Sequence, residues 1–200
     1  MARIAETRPP AAPVSRQQVQ RRERILDAAA TLGAGADYDR VQMLDVAKQA
    51  GVAIGTLYRY FPSKSHLFSG VFEQRIGAFV GTQWSSPTGD PVADVGENLV
   101  ALSRELLRTP RLCGAMMQAV AAGYVSGGDG VTPRLALVRA VIDTLGRTPD
   151  EVDLGVIRLL TYSWWGVLVS WLSHKITPAE AEADVRLAAR LILAAYTGEE

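Results

Sequence analysis

Two hundred residues, 48% hydrophobic and 21% charged, make a chain long enough to bury a sizeable core and too apolar for a disordered one. Its formal charge is zero, yet residues 1–75 hold eleven Lys and Arg against seven Asp and Glu, and residues 76–200 hold ten against fourteen. Local field rather than net charge decides contact with an anion at a range of about 8–10 Å, so neutrality does not exclude a nucleic-acid partner. Cys113 stands alone, which excludes a disulfide framework and fits a reducing cytoplasm, and no basic start followed by an apolar run marks a signal peptide.

Residues 1–14, MARIAETRPPAAPV, lack periodicity and read as a flexible arm. Ser15 followed by Gln18 is a capping box for a first helix, whose apolar face is Ile25, Leu26, Ala29 and Leu32. Gly33 and Gly35 are expected to stop it. A short helix then carries Leu44, Val46, Ala47 and Ala50 up to Gly51. Ser63 is expected to cap a longer helix running to about Trp84, and SSPTGDP is the expected domain boundary.

DVAKQAGVAIGTLYRYF has the anatomy of a helix-turn-helix. Ala47 is small where two helices cross, Gly51 supplies the left-handed backbone of a sharp turn, and Val52 and Leu57 plug the junction. The second helix then turns Ile54, Gly55, Tyr58 and Arg59 outward, as a major-groove reader requires. Hydroxyls at Thr56, Tyr58 and Tyr60 and the Lys64 ammonium suit phosphate oxygens. Ala53 stands where a helix ordinarily starts with a capping oxygen.

From Tyr38 to Phe68 the chain reads YDRVQMLDVAKQAGVAIGTLYRYFPSKSHLF, which resembles the TetR family of dimeric transcriptional regulators, closely over about residues 20–72. The resemblance implies a double-stranded DNA operator as partner. By it, Thr56, Tyr60 and Lys64 meet phosphates, Ile54, Gly55 and Tyr58 face base edges, and Gln42 and Met43 start the supporting helix beside the backbone. The sequence departs from the family habit of Thr or Ser near Gln42 and Met43 and of Ser at Ala53. The pairing of VQM with VAIGTLYRYFPSK, with the later runs LVSWL and VRLAARLIL, is similar to the KstR-type regulators of sterol catabolism. That likeness implies a repressor released by a steroid-derived acyl-CoA.

The second half reads as successive helices. Asp90-Pro91, Thr132-Pro133, Thr148-Pro149 and Thr177-Pro178 are start signals, and Glu151 and Glu180 complete two capping boxes. Pro110 opens a further helix with Leu112, Met116 and Val120 on its stripe. The run from Val156 to Leu172, with Arg158 inside it, is too short and too polar for a membrane span of about 20 residues and reads as a buried helix. It is apolar on two sides, so one side is expected to line a pocket and the other to meet a second subunit. Met116, Met117, Tyr124, Trp164, Trp165 and Leu168 are the expected contacts for an apolar small-molecule effector. Val167, Trp171, Val185, Ala189 and Ile192 are the expected homodimer contacts, in a four-helix interface. Arg104, Arg108 and Arg111 suit either an anionic ligand group or a solvated face.

No catalytic constellation is visible, and no cofactor or metal is expected. His66 and His174 lack metal-ligand spacing with Cys113 or a carboxylate, and GAGA at Gly33 lacks the dinucleotide fingerprint. The predicted fold is all-α with about nine helices. Residues 15–84 form a helix-turn-helix domain with its linking helix, and residues 85–200 a ligand-binding and dimerisation domain. The competing readings are a ligand-independent DNA-binding regulator and a helical enzyme acting on acyl-CoA.

Overall fold

Small oxygen-bearing side chains start most of the long helices. Ser15 Oγ accepts from the Gln18 amide at 3.3 Å and Ser63 Oγ from the His66 amide at 3.2 Å. Asp90 accepts from the amides of Val92 and Ala93, and Asp153 from that of Gly155. Thr177 and Glu180 exchange both bonds of a capping box. The computed structural model describes residues 15–86, 88–125, 135–150 and 152–196. Among them the chain is all-α, with helices α1 (Arg16–Gly35), α2 (Met43–Gln49), α3 (Ile54–Tyr60), α4 (Lys64–Thr82), α5 (Pro91–Leu107), α6 (Pro110–Val125), α7 (Leu135–Thr144), α8 (Leu154–Leu172) and α9 (Pro178–Ile192). Single 3-10 turns lie at Tyr38–Arg40 and Ala194–Tyr196, and no described residue is in a strand.

Two of the expected boundaries move. Gly33 does not stop α1; it lies buried within it, where a Cβ would stand 2.6 Å from Phe68 Cε1. Its missing side chain is clearance for the phenylalanine ring, and the helix continues to Gly35. Thr148 and Pro149 do not start α8 either. That helix begins where its apolar run begins, at Leu154, capped by Asp153. Glu151 and the Thr132-Pro133 signal lie outside the described residues.

The chain forms two compact units. The first takes Met1–Gln74 with Thr109–Val131, so α6 packs within it. Here α1 packs on α2 and α6, α6 also meets the 3-10 turn at Tyr38–Arg40, and α2 packs on α3. Ile25, Leu57, Leu67, Phe68, Phe72 and Cys113 are fully enclosed in this core. Arg111 Nη1 donates to the Gly35 carbonyl at 3.1 Å, tying the start of α6 to the end of α1.

The second unit takes Arg75–Arg108 with Thr132–Glu200. Its centre is α5, which packs on α7, α8 and α9, while α8 also packs on α9. Gly96 permits the α5–α9 approach: a Cβ there would stand 3.4 Å from Ala189 Cβ. Trp164 is buried and its Nε1 donates to Ser103 Oγ at 2.8 Å, which satisfies the one polar atom of a large apolar side chain. Asp94 and Asn98, both buried on α5, hold the preceding loop. Asp94 accepts from the amide and hydroxyl of Thr88, and Asn98 Oδ1 accepts from the Ser85 amide at 3.0 Å. Trp84 Nε1 donates to Thr144 Oγ1 at 2.8 Å. No helix among the described residues is long and apolar enough to cross a membrane.

Candidate nucleic-acid interface

The turn between α2 and α3 is set by Gly51, at φ +64°. Its amide donates to the Lys48 carbonyl at 3.1 Å, and the Val52 amide reaches back to the Ala47 carbonyl at 3.0 Å. This pair of bonds closes α2 as a left-handed cap and releases the chain directly into α3. Ala53 begins α3 without a side-chain cap, as its methyl group requires, and Gln42 begins α2 the same way.

Residues three apart on α3, Leu57 and Tyr60, point into the core. Ile54, Gly55, Tyr58 and Arg59 are exposed and Thr56 is half-buried. Ile54 and Tyr58, one turn apart, are 36% and 47% exposed. The Arg59 guanidinium lies 5.5 Å from the centre of the Tyr60 ring. Gln42 is exposed and Met43 half-buried at the first turn of α2. The structure therefore brings eight of the nine expected DNA-facing positions to accessible or partly accessible sites.

Tyr60 is the correction. It is 3% exposed, and its hydroxyl is buried with no hydrogen-bond partner. Helical spacing from Leu57 forces that ring inward, so it supports α3 from beneath instead of offering its oxygen at the surface.

Lys64 needs the second revision. Its Nζ donates to the carbonyls of Tyr38 at 2.8 Å, Val41 at 3.2 Å and Asp39 at 3.3 Å. An ammonium has three donors, and all three are engaged inside the chain. The same cation stands 4.6 Å from the centre of the Tyr38 ring, which meets Phe68 edge-on at 5.5 Å. Burial, with the negative charge of Asp39, pushes the Tyr38 hydroxyl above its ordinary pKa. Lys64 thus ties the start of α4 to the segment that delivers α2. The sequence shows no sign of this role, because its partners are backbone oxygens more than twenty positions away. A further brace lies at the exit of α3, where Arg22 stands 5.3 Å from the Phe61 ring centre.

The remaining expected positions separate by unit. Met116 and Met117 are buried on α6, in the first unit, and Trp164 and Leu168 on α8, in the second. Trp165 is half-buried, and the side chain of Tyr124 lies outside the described residues. Val167, Trp171 and Ile192 are half-buried, whereas Val185 and Ala189 are not open to a second copy. Ala189 is 0% exposed in the single chain because it faces α5 across Gly96. The large apolar side chains open on these helices are instead Leu154, Leu159, Tyr162 and Val169 on α8 and Leu187 and Leu191 on α9, the last 69% exposed. Arg104 pairs with Glu182 at 2.7 Å and Arg108 with Glu105 at 3.1 Å, so both are engaged, as is Arg111. Burial pushes the Cys113 thiol up to about 12, which keeps it protonated and unreactive at neutral pH.

Residues 25–71 match the family described as bacterial regulatory proteins, tetR family, and residues 89–192 match the tetracyclin repressor-like C-terminal domain. The chain is 34% identical over 185 residues to the HTH-type transcriptional repressor KstR of Rhodococcus jostii, covering 90% of this chain and 85% of the relative. It is 31% identical over 187 residues to KstR of Mycobacterium tuberculosis, covering 90% and 83%. A crystal structure of a TetR transcriptional regulator from a Rhodococcus species superimposes with a TM-score of 0.81 at 40% identity, covering 88% of this chain and 97% of that one.

Proposed function

The chain belongs to the TetR family of bacterial regulatory proteins, and from that premise we propose that it is a transcriptional repressor released by a small molecule. The observation that carries this reading is likeness to a curated repressor along 90% of the chain, with α2, the Gly51 turn and α3 intact within it. It binds a pseudo-palindromic operator as a homodimer, each protomer setting α3 in one major groove. Ile54, Gly55 and Tyr58 face base edges, with Thr56 and Arg59 beside them and Gln42 and Met43 at the flanking backbone.

Dimerisation uses the outward faces of α8 and α9. Leu159, Tyr162 and Val169 follow each other at spacings of three, then seven, and Leu187 and Leu191 are four apart, so each helix carries an open apolar stripe. Two such helices from each protomer make a four-helix contact under two-fold symmetry. The effector is an apolar molecule taken up beside Trp164, Trp165 and Leu168 in the second unit. The KstR-type likeness makes a steroid or its acyl-CoA thioester the first class to test. Release requires only that the effector bind more tightly to the conformation whose two heads no longer match adjacent grooves. A change from 99:1 to 1:99 needs about 10⁴-fold tighter binding to the favoured state.

The test is to enrich an operator duplex from a random pool with the full chain, then follow its complex by fluorescence anisotropy while adding steroid acyl-CoA. A dimer mass by light scattering and loss of the complex at micromolar effector are expected. An effector that binds while leaving the complex intact would overturn the release mechanism, and a monomer at micromolar concentration would overturn the two-headed one.

A further inference from the structure

The face that α3 turns outward is chemically unusual for a base reader. The helix IGTLYRY contains no Asn, Gln, Lys, Asp or Glu, and its one charged side chain, Arg59, lies over the neighbouring Tyr60 ring. Bidentate reading of adenine by an amide is thus absent from this helix. What stands at its exposed first turn is Ile54, a hydrocarbon with neither donor nor acceptor. Only one major-groove feature can be distinguished by such a group through direct contact, the 5-methyl of thymine.

Gly55 is the second observation. Glycine is among the poorest helix formers, and an exposed helical position without demands of its own is better filled by almost any other residue. Gly55 has no left-handed backbone to justify it, and a Cβ placed there would meet nothing within 4 Å. Gly33 and Gly51 each answer a demand of the chain itself, the first a phenylalanine ring and the second a positive φ. Gly55 answers none, as is also true of Gly81 and Gly166; what sets it apart is its place beside exposed Ile54 on α3, where its empty volume is open to a surface outside the chain.

We infer that Ile54 reads a thymine 5-methyl group in each half-site, and that Gly55 is the clearance that lets the first turn of α3 approach closely enough to do so. This rests on the DNA-reading role proposed above. Cytosine at that position would set its amino donor against hydrocarbon, unpaired and desolvated, which supplies discrimination as well as affinity.

The experiment uses the full chain and the tightest duplex enriched from a random pool, resynthesised with its thymines replaced one at a time by deoxyuridine. Each replacement removes one methyl group and changes no hydrogen bond. One position per half-site is expected to weaken binding by about fourfold, the value of one buried methyl-sized group. Ile54→Ala should weaken binding to the unmodified duplex and become indifferent to that same replacement. Gly55→Ala should raise the DNA-free Tm by about 2 °C while weakening the operator complex about tenfold or more, opposite signs that misfolding cannot produce. An operator that tolerates deoxyuridine at every thymine would overturn methyl reading while leaving DNA reading intact. Wild-type affinity in Gly55→Ala would overturn the clearance role. A pool from which no duplex is enriched would instead sink the DNA-reading role, and this inference with it.

Discussion

The helices of the turn motif and those of the second unit are built in opposite ways. Helices α2 and α3 have seven residues each and start at Gln42 and Ala53 with no side-chain cap. Helices α5, α8 and α9 have 17, 19 and 15 residues and start at Asp90, Asp153 and Thr177, each of which accepts from the first turn. A seven-residue helix is far below the length at which one persists alone, so α2 and α3 exist through burial of Val46, Ala47 and Leu57 and through the Lys64 tether. The second unit closes its polar groups on itself, with Trp164 on Ser103, Asp94 on Thr88 and Asn98 on Ser85. The contrast teaches where each part leaves valence unspent. The turn motif leaves it at two uncapped helix starts and on exposed Tyr58, whereas the second unit shows open apolar stripes on α8 and α9.

Three substitutions test that contrast. Trp164→Ala removes the largest fully buried side chain and should lower the unfolding free energy by about 3–5 kcal/mol in urea titrations. A loss below about 1 kcal/mol would mean that the second unit is not the tightly closed body described above. Lys64→Met keeps the stem of the side chain while removing the ammonium from three carbonyls, and should cost about 1.5–3 kcal/mol. Its salt dependence separates tether from phosphate contact. The slope of log affinity against log salt should be unchanged, whereas loss of a phosphate contact would lower its magnitude by about 1. Ala53→Ser, the smallest effect, should stabilise the DNA-free protein by about 1 kcal/mol by capping α3, read as a higher Tm. No change in Tm would show that α3 has no deficit at its start.

Much of this was legible because it is local. Gly51 at a positive φ, the Thr177–Glu180 box, and the outward placement of Ile54 and Tyr58 follow from backbone preference and helical spacing alone. The misses share the opposite character. Thr148-Pro149 has the form of a start signal, but Asp153 stands immediately before the apolar run and captures the role. Gly33 looks like a stop until Phe68 is seen against it, 35 positions later in the chain. Val185 and Ala189 share the helical spacing of an interface, and only the position of α5 shows that the chain has already covered them. Lys64 and Tyr60 belong here too: residue type suggests a phosphate ligand, while packing turns one onto carbonyls and the other inward. Periodicity says which side of a helix is apolar; it does not say which neighbour occupies it.

The indole that closes onto Ser103 has three companions, and their distribution has an optical consequence. Trp84, Trp164, Trp165 and Trp171 are all the tryptophans of the chain, and all fall in the second unit. The first unit carries no tryptophan, and its phenols are Tyr38, Tyr58, Tyr60 and Tyr124. Light absorbed by indole alone therefore samples the second unit and is blind to the first. Emission excited at that wavelength would report the arrival of the effector proposed above, while a fluorophore on the operator duplex would report departure from DNA. The two signals can be recorded in one cuvette, without labelling the protein, and their relative timing gives the order of the two events.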